Sequence, residues 1–310
     1  MKFYITICLS FLIPMVVFSK EHLVLQFDVN QTLIGTDKAS NKSLDDVINH
    51  ILAKRYYDYW DETVTEPLSY ADYVYEVKVP GKRGDNFLKR KRTKLINNFV
   101  DYVTEANHPK AEQIKNIYDQ VLAKFNDESV YVVPSFYKFL EFIEKEGYQY
   151  NLILRSFGRD LASVKQAIEK QTDLRFSQER LNFFRGELFT TDQIEPIKDE
   201  TIIYNFLKSH GHISIQDNWK EWQDHNQDGA FGKPIFVDPA DKGTLVFFFD
   251  DHLEKPSSPH NVGTVINAQN GQVLPLVSYF NTQVFAVDFI EALLNEDYFI
   301  ELFQKSKILL

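Results

Sequence analysis

The stretch His22-Leu-Val-Leu-Gln-Phe-Asp-Val-Asn-Gln-Thr-Leu-Ile34 determines the fold prediction for this chain. Residues 23–27 are apolar except for one glutamine, and the run is too short for a typical helix. Its length and its abrupt polar end are typical of a buried strand in a parallel sheet. In open α/β sheets the chemistry lies just beyond the carboxyl ends of such strands, where Asp28, Asn30 and Thr32 fall here. Taken alone, the stretch also fits a strand followed by an ordinary polar turn.

Two later stretches repeat this pattern of an apolar run with a polar end. Asn151-Leu-Ile-Leu-Arg-Ser156 ends in a hydroxyl and leads through Gly158 into a helix-like segment. Leu245-Val-Phe-Phe-Phe-Asp250-Asp251 ends in two adjacent carboxylates. Because parallel strands present their carboxyl ends at one edge of a sheet, the three strand ends are expected to converge there.

In this order, the motifs resemble those of the haloacid dehalogenase superfamily. That pattern consists of Asp-x-Asp-x-Thr, a strand-end Thr or Ser, a Lys, and a strand-end acidic pair, and the resemblance spans residues 22–267. It implies an α/β fold with a Rossmann-like parallel sheet core, formed by residues 20–37 and 131–310. It also implies that residues 38–130 form a mostly helical cap between the first and second motifs.

Local patterns in the intervening segment agree with such a cap. Apolar residues at helical spacing predict helices over 44–59, 93–104 and 110–125, and alternation predicts a strand over 70–79 with a turn at Pro80-Gly81. A closing helical region is predicted over 284–305, where apolar positions repeat every three to four residues.

The resemblance also implies roles for individual residues. Asp28 would be the nucleophile that forms an aspartyl-phosphate, while Thr32 and Ser156 would hold the loop and the phosphoryl group. Ser156 and Gly158 lie at a strand-to-helix turn, where free backbone N–H groups favour an anion, although a plain helix N-cap is the alternative for Ser156. The motif lysine would be Lys233, in Gly232-Lys-Pro234, with Lys220 and Lys242 as rivals.

A magnesium ion is the cofactor that the resemblance implies. Its ligands would be the Asp28 carboxylate, the backbone carbonyl of Asn30 and one of Asp250 and Asp251, which are the hard oxygen ligands that Mg²⁺ prefers. Two adjacent acids at a buried strand end are costly unless a cation lies beside them, and this favours the metal interpretation independently.

The chain departs from the family pattern at Asn30. Phosphatases of the superfamily carry a second Asp there, which protonates the leaving group and later activates water, whereas an amide has no titratable proton. Loss of a general acid/base removes a factor of ~10²–10⁴ in rate. We therefore expect a Mg²⁺-dependent hydrolase of a small phosphorylated substrate, with a weak or inactive binding protein of the same fold as the alternative. A dehalogenase fits less well, because that group does not require Mg²⁺.

Composition restricts the class of partner. A charged fraction of 25% and an apolar fraction of 44% are ordinary for a soluble globular protein. The net charge of −10 argues against general nucleic-acid binding. Within this acidic chain, a basic cluster could attract a phosphorylated substrate or simply form a solvated face; it comprises Lys82, Arg83, Lys89, Arg90, Lys91, Arg92 and Lys94. The oligomeric state and the natural substrate have no signature in the sequence.

Residues 1–19 have the pattern of a secretory signal peptide. Lys2 precedes an apolar run that ends at Phe18-Ser19, and a retained anchor is less favoured because the run contains Pro14 and is shorter than the ~20 residues of a membrane span. We expect a secreted, periplasmic or secretory-lumen protein without a membrane partner after cleavage. Cys8, the only cysteine, lies in this leader, so the mature chain would have no thiol chemistry.

One further motif could bind a metal. Asp224-His-Asn-Gln-Asp-Gly229 matches the first half of a calcium-binding loop, but Ile235 stands where the usual bidentate Glu would be. A polar turn around a glycine has the same composition and is the favoured interpretation.

Overall fold

A computed structural model describes residues 20–35, 43–82, 85–125, 131–253 and 255–309. The predicted signal peptide of residues 1–19, most of the loop after Gly35, and Arg83 of the basic cluster lie outside the described residues.

The fold is α/β and is organised around a seven-stranded, mostly parallel sheet with the order β11-β9-β1-β4-β7-β5-β6. Only β6 runs antiparallel, as the second strand of a hairpin with β5. These strands are β1 (His22–Asp28), β4 (Gln149–Ser156), β5 (Leu181–Phe184), β6 (Glu187–Thr190), β7 (Ile213–Gln216), β9 (Thr244–Asp250) and β11 (Val284–Ala286). The architecture is compatible with the Rossmann-like core that the sequence predicts.

Two small sheets accompany the large one. Strands β8 (Lys233–Val237) and β10 (Gly263–Asn267) pair in parallel, and β2 (Tyr57–Asp58) pairs antiparallel with β3 (Leu68–Ser69). In the large sheet, the three predicted strand motifs are present as β1, β4 and β9.

Eleven α-helices lie within the described ranges. They are α1 (Leu44–Arg55), α2 (Tyr70–Tyr73), α3 (Asn86–Ile96), α4 (Phe99–Glu105), α5 (Ala111–Phe125), α6 (Pro134–Lys145), α7 (Leu161–Gln171), α8 (Glu200–Ser209), α9 (Trp219–Asp224), α10 (Phe289–Leu294) and α11 (Tyr298–Leu309). None of these helices combines the length and the apolarity that crossing a membrane requires.

The central strands have buried side chains on both faces of the sheet. Successive side chains point to opposite faces, and an apolar cluster lies on each face. In β1, Leu23, Leu25 and Phe27 belong to one apolar cluster, whereas Val24 belongs to the other. Phe27 stacks on Phe249 of the neighbouring strand, with ring centroids 4.4 Å apart. Two-sided burial explains why these strands are nearly continuous apolar runs in the sequence.

Helices α1–α5 lie between Leu44 and Phe125 in the chain. Their buried apolar residues belong to the same cluster as apolar residues of the sheet and of α6, α10 and α11. Helix α1 begins with a capping box in which Ser43 accepts a hydrogen bond from the Asp46 N–H and the Asp46 carboxylate accepts one from the Ser43 N–H. The mostly helical character predicted for this segment is present. Its status as a separate cap stays a prediction.

Several predictions of local structure are wrong. The helix predicted over 44–59 ends at Arg55, and the helix predicted over 93–104 is divided between α3 and α4. Residues 70–79 form α2 followed by a π-helical turn, Val74–Lys78, instead of a strand. Ser69 caps this helix, and Tyr70, Tyr73 and Val74 are buried at helical spacing, so packing of that face outweighed the apparent alternation. The region 284–305 is not wholly helical, because it opens with β11, which pairs with β9 at the edge of the sheet.

Candidate functional site

The site lies where the strand order reverses. Strand β1 pairs with β4 on one side and with β9 on the other, and the chain reaches β4 and β7 before it crosses back to β9 and β11. In open α/β sheets ligands bind at such a switch point, beyond the carboxyl ends of the strands. Asp28, Ser156 and Asp250 end the three adjacent strands, so the structure brings together the strand ends that the sequence predicts to converge.

A buried lysine joins two of these strand ends. The Lys233 ammonium donates one hydrogen bond to Asp28 Oδ1 and another, of 2.7 Å, to Asp250 Oδ2. Lys233 opens β8 and is only 1% exposed. The rival lysines are elsewhere on the surface: Lys220 pairs with Asp224, and Lys242 donates to the Pro239 carbonyl.

At both Asp28 and Lys233, burial and the neighbouring opposite charges shift the pKa in opposite directions. Burial raises the pKa of the Asp28 carboxyl well above its usual range; Lys233 opposes that rise, and the carboxylates of Asp250 and Asp251 add to it. Burial lowers the pKa of Lys233, but Asp250 and Asp28 outweigh it, so the net shift is upward and the lysine is cationic. Asp28 Oδ2 is buried and has no hydrogen-bond partner.

Asp251 faces a different set of groups. Its carboxylate contacts the His252 imidazole at 2.9 Å and lies 3.8 Å from the Lys54 ammonium of α1. Burial raises its pKa, but His252 and Lys54 outweigh burial and lower the pKa to about 2. Its backbone N–H donates to Thr32 Oγ1 at 3.1 Å, so Thr32 ties the loop after β1 to the end of β9.

Ligand atoms of Asp250, Asp251 and His252 lie within 4.8 Å of one another and form the one metal-compatible cluster of His, Cys, Asp and Glu in the described ranges. Sequence reasoning missed His252 and Lys54. The adjacency of His252 to the acidic pair was a usable signal for the first, whereas Lys54 reaches the site only through the packing of α1.

Asn30 is held by two hydrogen bonds of its amide. Its Oδ1 accepts from Ser156 Oγ at 3.0 Å, and its Nδ2 donates to the buried Asp160 carboxylate at 3.0 Å. Ser156 Oγ in turn accepts from the Gly158 N–H at 2.8 Å. A Cβ on Gly158 would lie 2.8 Å from Asn30 Oδ1, so an alanine here would displace the Asn30 amide from its hydrogen bonds. The N-cap alternative for Ser156 is wrong, because Asp160 is the N-cap residue of α7.

A second buried ion pair, between Arg155 and Asp217, lies next to the site. Arg155, fully buried near the end of β4, binds the Asp217 carboxylate and also donates to Gln26 Oε1 and to the Pro234 carbonyl, both at 2.9 Å. Pro234 directly follows Lys233, so this network fixes the start of β8 relative to β1 and β4. An arginine at the end of an otherwise apolar strand was the sequence signal for it.

An aromatic ring lies beside the lysine and continues into a small aromatic cluster. The Phe157 ring lies 4.9 Å from Lys233 Nζ and stacks on Trp222 of α9, with ring centroids 5.3 Å apart. Trp222 also meets the His252 ring edge-on at 5.7 Å, and its buried Nε1–H has no hydrogen-bond partner. Helix α9 therefore packs against the loops that follow both β4 and β9.

A cavity of about 450 Å³ lies beside this region, between α9, the β5–β6 turn and the start of β8. Its lining includes Phe183, Arg185, Glu221, His225 and Pro234, and none of the predicted site residues. The strand-end chemistry is therefore outside this cavity.

The segment 224–229 is a turn at the end of α9. Asp224 pairs with Lys220, Asp228 accepts a hydrogen bond from the Ala230 N–H, and Asn226 and Gln227 adopt left-handed backbone conformations. The favoured interpretation as a polar turn agrees with this geometry.

Comparisons with known proteins add no relative. The chain matches no family model, and searches of curated proteins and of solved structures found no significant match.

Proposed function

We propose that this protein is a Mg²⁺-dependent phosphohydrolase of the haloacid dehalogenase type that acts on a small phosphorylated substrate through an aspartyl-phosphate on Asp28. One observation carries the proposal. The Lys233 ammonium joins Asp28 and Asp250 at the switch point, while Asp28 Oδ2 is left without a partner. In this proposal residues 38–130 serve as the cap that covers the site.

Stability does not explain this arrangement. Buried ion pairs cost several kcal/mol per ion in desolvation and are often no better than apolar residues of the same volume. Here the carboxylates of Asp28 and Asp250 share the buried Lys233 ammonium, and the neighbouring Asp251 carboxylate contacts the His252 imidazole and the partly exposed Lys54. Three carboxyl groups gathered at one poorly solvated strand edge favour a bound cation over a purely structural role.

The residues present fit a magnesium ion. Asp28 Oδ2 is an orphaned buried oxygen, and Asp250 and Asp251 supply further carboxylate oxygens at the adjacent strand end. Asp28, the Asn30 backbone carbonyl and one of the two acids would hold the ion. When bound, it would neutralise charge on the phosphoryl oxygens.

The chemistry of the chain itself follows from these positions. A carboxylate oxygen of Asp28 attacks phosphorus, the new P–O bond forms, and the bond to the leaving-group oxygen breaks. Lys233 holds Asp28 in place and balances its charge, and Ser156, at the end of the adjacent strand β4, would bind phosphoryl oxygens through its hydroxyl. Water then hydrolyses the aspartyl-phosphate and regenerates the carboxylate.

Asn30 favours a second candidate function, a binding protein with little or no turnover. Its amide cannot deliver a proton to the leaving group, and its hydrogen bonds to Ser156 and Asp160 hold it in one orientation. Such a protein would still bind Mg²⁺ and a phosphorylated ligand.

A substrate pair separates the two functions. With Mg²⁺ present, an activated aryl phosphate should be cleaved by the wild type, because its leaving group needs no proton, while an alkyl phosphate should be nearly inert. Asn30→Asp should speed the alkyl substrate by up to ~10²–10⁴ and the aryl one by less. Asp28→Asn should abolish both activities.

Asn205→Asp in α8 and Asp173→Asn after α7 are matched controls, because both positions are exposed and lie outside the site. Neither should change either rate. If the wild type cleaves neither substrate and Asn30→Asp restores none, the binding-protein function replaces the enzymatic one.

A further inference from the structure

Helix α3 presents an unpaired basic face in an acidic protein. The helix contains five basic residues and no acidic one, whereas the chain has a net charge of −10. Lys89, Arg90, Lys91 and Lys94 are exposed. Within the described ranges, none of these four forms an ion pair with a carboxylate, whereas other lysines and arginines of the chain do. We call these four residues the α3 basic face.

Arg92 has a different role, although the sequence groups it with the others. It is fully buried, and its guanidinium donates to the backbone carbonyls of Val79, Gly81 and Lys82 at 2.8–3.1 Å. Those bonds attach α3 to the segment that precedes it. The hydrogen bonds of Arg92 therefore fix the position of the helix that carries the α3 basic face.

The α3 basic face adjoins the candidate site. The Lys89 ammonium lies 5.8 Å from the centroid of the Trp219 ring, at the start of α9. One turn further along α9, Trp222 stacks on Phe157 and meets His252. Residues three apart on a helix are neighbours on its surface, so Lys89 stands about one helical turn from Trp222, whose ring stacks on the Phe157 ring beside Lys233.

Four exposed cations that pair with no carboxylate of the described residues create a positive potential, which an anionic ligand would neutralise. Lys89 lies beside Trp219, and the other three residues follow within five positions of α3, so the face suits anionic groups carried some distance from the reacting phosphate. The acidic remainder of the surface repels polyanions, which confines their attraction to this face.

We propose that the α3 basic face binds the additional phosphate groups of a multiply phosphorylated substrate, whose reacting phosphate lies at Asp28. The position of the reacting phosphate rests on the proposed function, whereas binding of the additional phosphates rests on α3 alone. The cluster noted in the sequence thus consists of one structural arginine and a recognition surface.

Calorimetric titration with inositol hexakisphosphate tests the binding directly. We compare the full chain with a variant in which Lys89, Arg90, Lys91 and Lys94 are all replaced by Ala. The matched control replaces four exposed lysines elsewhere by Ala, namely Lys115, Lys124, Lys170 and Lys305. The α3 variant should bind at least about tenfold more weakly than wild type, since local charge changes effective ligand concentration by such factors, and the control much less. Equal losses in both variants, or no binding by wild type, would overturn the proposal.

Two further arms identify the source of the phosphate and separate this inference from the proposed function. Vesicles of phosphatidylserine and phosphatidylcholine test a membrane surface; loss of vesicle binding in the α3 variant, without loss of inositol hexakisphosphate binding, would overturn the proposal. Turnover of an aryl monophosphate should be unchanged in the α3 variant. Aryl phosphate turnover without inositol hexakisphosphate binding refutes only this inference, and binding through α3 without any turnover refutes only the proposed function.

Discussion

Replacing Lys233 by Met should strongly destabilise the protein. The side chain is 1% exposed and its ammonium is the shared hydrogen-bond partner of Asp28 and Asp250. Methionine fills a similar volume but leaves two buried carboxylates without that partner. Breaking a buried pair in this way costs ~3–5 kcal/mol. At ~1.5–2 °C per kcal/mol for a chain of this length, the melting temperature should fall by roughly 5–10 °C.

The loss should depend on pH in a defined direction. The folded-state pKa of Asp28 is raised above the unfolded value of about 3.9, so the folded state binds the proton more tightly. The stabilising effect of this protonation is fully present below the unfolded pKa and is lost as pH rises through the folded pKa. Without Lys233 the folded pKa should rise further. The variant should therefore recover stability as pH is lowered from 8 toward 5, by up to ~1.4 kcal/mol per pH unit.

Urea unfolding and thermal melts across this pH range measure the effect. The exposed Lys220→Met is the matched control and should change the free energy of unfolding by less than ~1 kcal/mol. The triple variant Asp28→Asn/Lys233→Met/Asp250→Asn should recover most of the loss, because it removes the charges together. A Lys233→Met variant no less stable than the Lys220→Met control would refute the reasoning.

Mg²⁺ should stabilise the folded protein by ~2.7 kcal/mol at 100 times its Kd and so raise the melting temperature. In a thermal titration the double variant Asp250→Ala/Asp251→Ala should show no such rise. A rise that survives in the variant would place the ion elsewhere. Gly158→Ala should eliminate hydrolysis while leaving the far-ultraviolet circular dichroism unchanged, since its Cβ would lie 2.8 Å from Asn30 Oδ1, whereas Gly243→Ala, which has only one atom within 4 Å at 3.5 Å, should be neutral. The secreted product should begin directly after residue 19 by intact mass, and a product that retains the leader would disprove the cleavage.

Local sequence patterns were enough to predict the parts of the core that depend on local physics. The strands β1, β4 and β9 appear as apolar runs because both faces of a parallel sheet are buried. Helices α1 and α5 appear as amphipathic repeats because each buries one face against the core. Polar residues at the ends of these strands predicted one common edge, since all parallel strands point the same way.

Tertiary structure decided what depends on residues far apart in the chain. Lys233 is separated from Asp28 by 205 positions, so only the packing of β8 over the sheet distinguishes it from Lys220 and Lys242. The contact of Lys54 with Asp251 arises in the same way. Residues 70–79 alternate in polarity as a strand would, but they are helical because the helix buries Tyr70, Tyr73 and Val74 on one face. Side-chain periodicity is set by neighbours along the chain, whereas the charges of a site are set by which distant surfaces pack together.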